Sequence, residues 1–192
     1  MTLLLIGLVI FLGVHSTRIV AEPWRGALIG RIGVGPWKIG YSVLSLVGFV
    51  LVVYGYGAAR QSGIELWSPP LWTRHLASLL TLVSFVLLVA AYVPGTRIKA
   101  AIGHPMAAGV KTWALAHLLS NGRLADVVLF GAFLLWAVAS FVAARRRDRR
   151  DGTTYPAGSL VRDALAVLIG IGAWAAFAFY LHARLIGVAP FG

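Results

Sequence analysis

The sequence contains no cysteine. Disulfides, thiolate-bound metals and a cysteine nucleophile are therefore excluded, and histidine is left as the one strong nitrogen ligand among the side chains. Acidic residues are nearly as scarce. Glu22, Glu65, Asp126, Asp148, Asp151 and Asp163 are the full set, and none falls deep in an apolar stretch. Paired-carboxylate hydrolysis, a carboxylate-rich metal centre and a carboxylate proton wire thus lack the residues they need. No G-x-S-x-G nucleophile elbow is present. Residues 30–36 are glycine-rich, but they neither follow a strand nor open a βαβ unit, which argues against a phosphate cradle and for an interfacial turn.

Charge of either sign is thin: 12% of the residues are charged against 59% hydrophobic, and mean hydropathy is +0.85. This is the composition of an integral membrane protein. The formal charge of +11 comes from Lys and Arg at the ends of apolar segments. Membrane topology and anionic lipid explain that placement, and nucleic acid is not an expected partner.

Five apolar runs are long enough to span a bilayer, at about residues 3–21, 39–59, 71–93, 124–144 and 160–181. The first lacks a basic n-region and reads as a retained span rather than a cleaved signal peptide. A shorter helix is expected at about 105–120, opened by Pro105 and stopped at Asn121-Gly122; its length suits a tilted or re-entrant segment. The expected fold is all-α, one transmembrane bundle of about six helices over residues 1–192, with residues 145–158 as a basic cytoplasmic loop. The positive-inside rule sets that orientation through Arg145, Arg146, Arg147, Arg149 and Arg150. It puts both termini outside and collects Arg18, Arg25, Arg31, Lys38, Arg97, Lys99 and Arg162 on the inner side. Trp24, Trp37, Trp67 and Trp72 fall near span boundaries, as interfacial anchors do.

The short helix carries the polar chemistry. Gly109, Trp113, His117 and Asn121 recur every four residues and form one drifting stripe. His104 and His117 are ~220° apart and cannot share a metal ion, whereas Lys111 lies on the His104 side. That second face suits anion binding or proton handling near the helix N-terminus, or a lysine that snorkels to headgroups. Counting ~1.5 Å per residue from the opposite ends of antiparallel helices puts His15 and His117 near one depth. Facing each other, they could ligate a flat metal macrocycle such as haem, with Arg18 at a propionate. Alternatively, each histidine hydrogen-bonds within the bundle, and Arg18 anchors the inner boundary through Glu22. Arg74-His75 and His182 with Arg184 sit at outer helix ends, as solvated residues or as a second, outward-facing site.

The segments His104-Pro105-Met106, Gly109, Trp113 to Leu119 and Asn121-Gly122 resemble the NnrU family of bacterial membrane proteins. Further resemblance lies at His15 to Arg18, Arg74 to Ala77 and Val89 to Gly95. The resemblance implies a bacterial inner-membrane protein associated with nitrite and nitric oxide metabolism. The family is in turn similar to 15-cis-zeta-carotene isomerase, a haem b membrane enzyme. Carried over by motif, that similarity implies haem b ligated by His15 and His117, with Arg18, Gly109 and Trp113 around it in a hydrophobic cavity between the first span and the short helix. It also implies redox or isomerase activity on a membrane-soluble small molecule. Ala114 stands where the isomerase has a cysteine used in ligand switching, which bears on that mechanism more than on haem. A non-enzymatic factor supporting denitrification reductases is the competing class. A weaker resemblance, His104-Pro105 to the Arg-His-Pro motif of membrane methyltransferases, lacks both the arginine and the later glutamate.

Overall fold

The structure is a computed structural model that describes residues 1–61 and 63–191. Its regular elements are helices: α1 Thr2–Val20, α2 Glu22–Ile32, α3 Val34–Arg60, α4 Trp72–Tyr92, α5 Arg97–Ile102, α6 Pro105–Ser120, α7 Leu124–Asp151 and α8 Leu160–Ala176. A π-helical turn, Phe177–Leu181, carries α8 into the short α9, His182–Ile186. Five helices are long and apolar enough to cross a membrane: α1, α3, α4, α7 and the continuous α8 to α9.

Local chemistry sets several of the boundaries. Pro105 opens α6, and Pro23 stands in the first turn of α2, where a missing N–H goes unnoticed. Thr96 caps α5 by accepting from the Lys99 amide at 3.0 Å. Glycine ends α7, with Gly152 at φ 62°. Two segments differ from the expectation. The stretch 22–32 is a helix, and the interfacial turn shrinks to Gly33 at φ 85° between α2 and α3. The expected basic loop 145–158 is helical as far as Asp151. Its arginines continue the i, i+4 ladder of α7, so only the segment after Gly152 is loop.

Loop contacts fix how the helices alternate. The Ser159 amide donates to the Gly95 carbonyl, joining the end of α4 to the start of α8. Leu66 N–H donates to Gly122 O, joining the end of α3 to the start of α7. Arg147 on α7 donates to the Arg18 carbonyl at the end of α1. α6 begins beside Asp148, and its trailing Gly122 meets Trp67, so it runs the whole way from one end of the bundle to the other. The bundle therefore has a basic end, where α1, α4 and α7 finish, and an opposite end that holds Arg60, Arg74, Arg123 and Arg184.

α1 packs along α3, α6 lies between α4 and α7, α8 covers α4, and α7 touches α1, α3 and α6. In lipid the hydrophobic effect does not drive helices together, so close packing must do so. Glycines provide it: a Cβ on Gly48 would lie 2.7 Å from the Phe11 amide nitrogen, and one on Gly7 would lie 2.6 Å from that of Val52. The main core sits where α1, α3 and α7 converge, around Leu4, Leu8, Val52, Leu129 and Phe130.

Candidate functional site

α1 and α6 are not packed against each other; α7 runs between them. His15 stands five residues before the end of α1, displaced toward the basic end, and His117 three before the end of α6, displaced toward the opposite end. Against α7, His15 meets Trp136 and His117 meets Phe130, six residues or ~9 Å apart along the axis. Aromatic rings fill the space between them. Phe11 packs on His15 and on Phe133, and Trp113 packs on Phe133, Phe130 and His117. The region between the two histidines, where the expected cavity would hold a ring, is thus packed core; the space that α1 does share with the start of α6 lies at the basic end. A single macrocycle held by both His15 and His117 does not fit this arrangement.

Gly109 and Trp113 are placed accordingly. A Cβ on Gly109 would meet Leu88 and the Ser84 carbonyl at 3.1 Å, and Ser84 Oγ donates to the Gly109 carbonyl at 2.8 Å. Gly109 therefore seats α6 on α4 instead of admitting a ring. Trp113 is a core residue of the α6/α7 contact, and Ala114 is fully buried beside it. His117 stacks on Phe130 at 4.4 Å, lies 6.4 Å from the His182 ring and has the Asn121 amide group near Nδ1. The meeting of His117 with His182 was not foreseen; the π turn that precedes His182 sets its direction.

His15 lines a cavity of about 770 Å³ at the basic end, walled by α1, α2, α3, the end of α4, α5, the start of α6 and α7 from Trp136 to Arg147. Its Nδ1 is 2.6 Å from the Phe11 carbonyl oxygen, which can only accept, so Nδ1 carries a proton and a neutral ring has its lone pair on Nε2. A ring nitrogen tied to a carbonyl in this way is the usual support of a ligating imidazole. Trp37, Tyr41 and Trp136 supply flat walls, and Ile19, Ile29 and Ala144 supply apolar ones.

The rim is cationic: Arg18, Arg25, Lys38, Lys99 and Arg147 line the cavity, and among the described residues no carboxylate does. One nearby acid, Glu22, serves two of them, at 3.4 Å from Arg18 and 4.0 Å from Arg147. Arg18 thus makes the Glu22 pair foreseen in the sequence while its side chain stays largely exposed. Arg25 lies over the Trp37 ring at 5.6 Å, and the Lys99 ammonium donates to the Ala91 carbonyl at 3.4 Å. Among the described residues Lys38 has no partner.

His104 lines the same cavity. Its Nε2 donates to Asp148 Oδ2 at 2.8 Å, and the Tyr155 hydroxyl donates to the same oxygen at 3.0 Å. Burial and the Asp148 carboxylate push the Tyr155 phenol up, so it remains a donor. Arg145 approaches Asp148 at 3.7 Å. Asp148 and Tyr155 were missed in the sequence because both stand in or beside the arginine run. Lys111 is not on this cavity; its ammonium sits 4.9 Å above the Phe141 ring. Arg74 and His75 are exposed at the opposite end, away from His15 and His104. No cluster of three or more metal-ligating side chains occurs among the described residues.

Compared with family models, residues 3–190 match the one described as NnrU protein. No curated protein and no solved structure matches the chain.

Proposed function

The chain belongs to the NnrU family, and from that premise we propose that it is a membrane-embedded binding protein for a small molecule with an anionic group and a largely apolar body. The observation that carries this reading is the cavity at the basic end, with its five cationic side chains, no lining carboxylate and aromatic walls. A cleft lined by charge of one sign focuses the field on an occupant of the opposite sign, and the walls favour an apolar one. By the positive-inside rule the cavity opens toward the cytoplasm, and the host membrane is the bacterial inner membrane.

A second reading is favoured by the orientation of His15. Haem b has a flat apolar ring and two carboxylates, and one haem in this cavity would take His15 Nε2 as its protein nitrogen, with Arg18 and its neighbours at the carboxylates. When bound, it would supply the electron transfer needed for redox or isomerase chemistry on a membrane-soluble molecule. The chain's own part is to orient His15 through Phe11, to offset the carboxylate charge and to exclude water with Trp37, Tyr41 and Trp136. His117 has no part in either reading.

The test is a titration of the protein, held in nanodiscs of neutral lipid, with hemin and with dodecyl sulfate below its micellar concentration. Tryptophan fluorescence reads any occupant, and the Soret band reads haem. Saturable binding that weakens at least tenfold in Lys38→Glu supports the main reading, and a Soret shift lost in His15→Ala but kept in His117→Ala supports the second. Binding of neither probe, or binding indifferent to Lys38→Glu, overturns the main reading.

A further inference from the structure

Beside the cavity, on the bilayer side of the bundle, α1 and α7 leave an apolar groove of about 590 Å³. It extends along α1 from Leu5 to Val20, fifteen residues or ~22 Å, most of the thickness of a hydrocarbon core. Its floor is low at Gly13, where an added Cβ would meet nothing within 4 Å. Two residues, Ile19 and Trp136, line both the groove and the basic cavity, so the two spaces adjoin. Among the described residues the groove has no charged side chain along its length, whereas the cavity it meets carries five cations and no carboxylate.

Resting on the binding reading above, we propose that the ligand is an amphiphile with one long apolar chain and a phosphate head. The chain lies in the α1/α7 groove, and the head sits in the cavity among its cationic side chains, of which Lys38, Lys99 and Arg25 are free of any carboxylate partner among the described residues. Phosphate fits this cavity because Lys38 is unpaired among the described residues and the other two hold only a carbonyl and an aromatic face. One chain is specified because the groove is a single channel ending at a single basic pocket. The ligand enters sideways from the bilayer, where the groove is open, and exchanges its headgroup layer for the cationic rim.

The experiment uses the full chain in phosphatidylcholine nanodiscs and titrates hexadecyl phosphate, with inorganic phosphate as the head alone, hexadecanol as the chain alone and phosphatidylglycerol as an ordinary two-chain anionic lipid. Hexadecyl phosphate is expected to bind at least tenfold more tightly than either half and than phosphatidylglycerol. Gly13→Phe, which fills the groove floor, is expected to weaken it at least tenfold while leaving inorganic phosphate unchanged. Leu135→Trp, which reaches the same groove from α7 at a side chain 75% exposed, is expected to act likewise should Gly13→Phe fail to fold. If Lys38→Glu weakens binding but neither groove substitution does, the chain assignment is wrong and the binding reading survives. If phosphatidylglycerol competes equally, the site is an ordinary lipid annulus and the proposal falls. If no charge substitution matters, the binding reading fails with it.

Discussion

The two ends of the bundle use the same residue type in opposite ways. At the basic end, His15 and His104 stand on the wall of an open, cationic cavity, each with one ring nitrogen fixed by a hydrogen bond. At the other end, His117 is wedged among Phe130, Trp113 and His182. A histidine with one nitrogen held on the wall of a cavity is equipped to bind. A histidine stacked between rings fills volume. Polarity inside a membrane helix therefore marks function only where the packing around it leaves room.

The sharpest way to break this contrast is to remove volume from the packed end. Phe130→Ala should cost about 3–5 kcal/mol, the usual price of deleting a buried phenyl group, and lower the thermal midpoint while ligand affinity of the surviving fold stays unchanged. Calorimetry and the hemin titration read the two effects separately. Next comes a pair on one helix. Gly109→Leu forces α6 away from Ser84 and Leu88 and should cost about 1–3 kcal/mol. Ala107→Leu, two residues earlier on the cavity wall, should leave the midpoint nearly unmoved and weaken ligand binding instead. Equal midpoints for the two would mean that the α4/α6 contact is as loose as the cavity.

A smaller effect is expected from His117→Phe, a near-isosteric change within an aromatic stack, which should alter stability by less than about 1.5 kcal/mol and leave any Soret band in place. Loss of that band would return His117 to the site. The mildest prediction concerns the hydroxyl of Tyr155. Its phenol ionises above the ordinary value of ~10, so its bond to Asp148 is intact below that pH and is lost as pH rises through the higher folded value. Tyrosinate absorbance of the wild type against Tyr155→Phe checks this, and ionisation of Tyr155 in step with exposed tyrosines would contradict it.

Much of the fold was legible because hydropathy and length alone decide which segments cross a bilayer. The five apolar runs match α1, α3, α4, α7 and α8, and Pro105 and Gly122 bracket α6 as expected. What failed was lateral arrangement. Depth can be counted from helix ends, but which helices are neighbours depends on glycines such as Gly7 and Gly48, whose pairing across α1 and α3 has no periodic signature. Those contacts turn α1 toward α3 and α7, so His15 never meets α6. The Asp148 and Tyr155 support for His104 was hidden for a related reason: a charge run reads as solvated until the helix bearing it is seen to continue. The family resemblance read from the motifs holds over nearly the whole chain.

The most direct measurement sets the two ends against each other: the affinity of hexadecyl phosphate for the wild type, for a Lys38→Glu/Lys99→Gln double variant and for His117→Phe, in the same neutral nanodiscs. The account predicts a loss of at least tenfold in the double variant and none in His117→Phe. An unchanged affinity in the double variant, together with a loss in His117→Phe, would place the working site at the wrong end of the molecule.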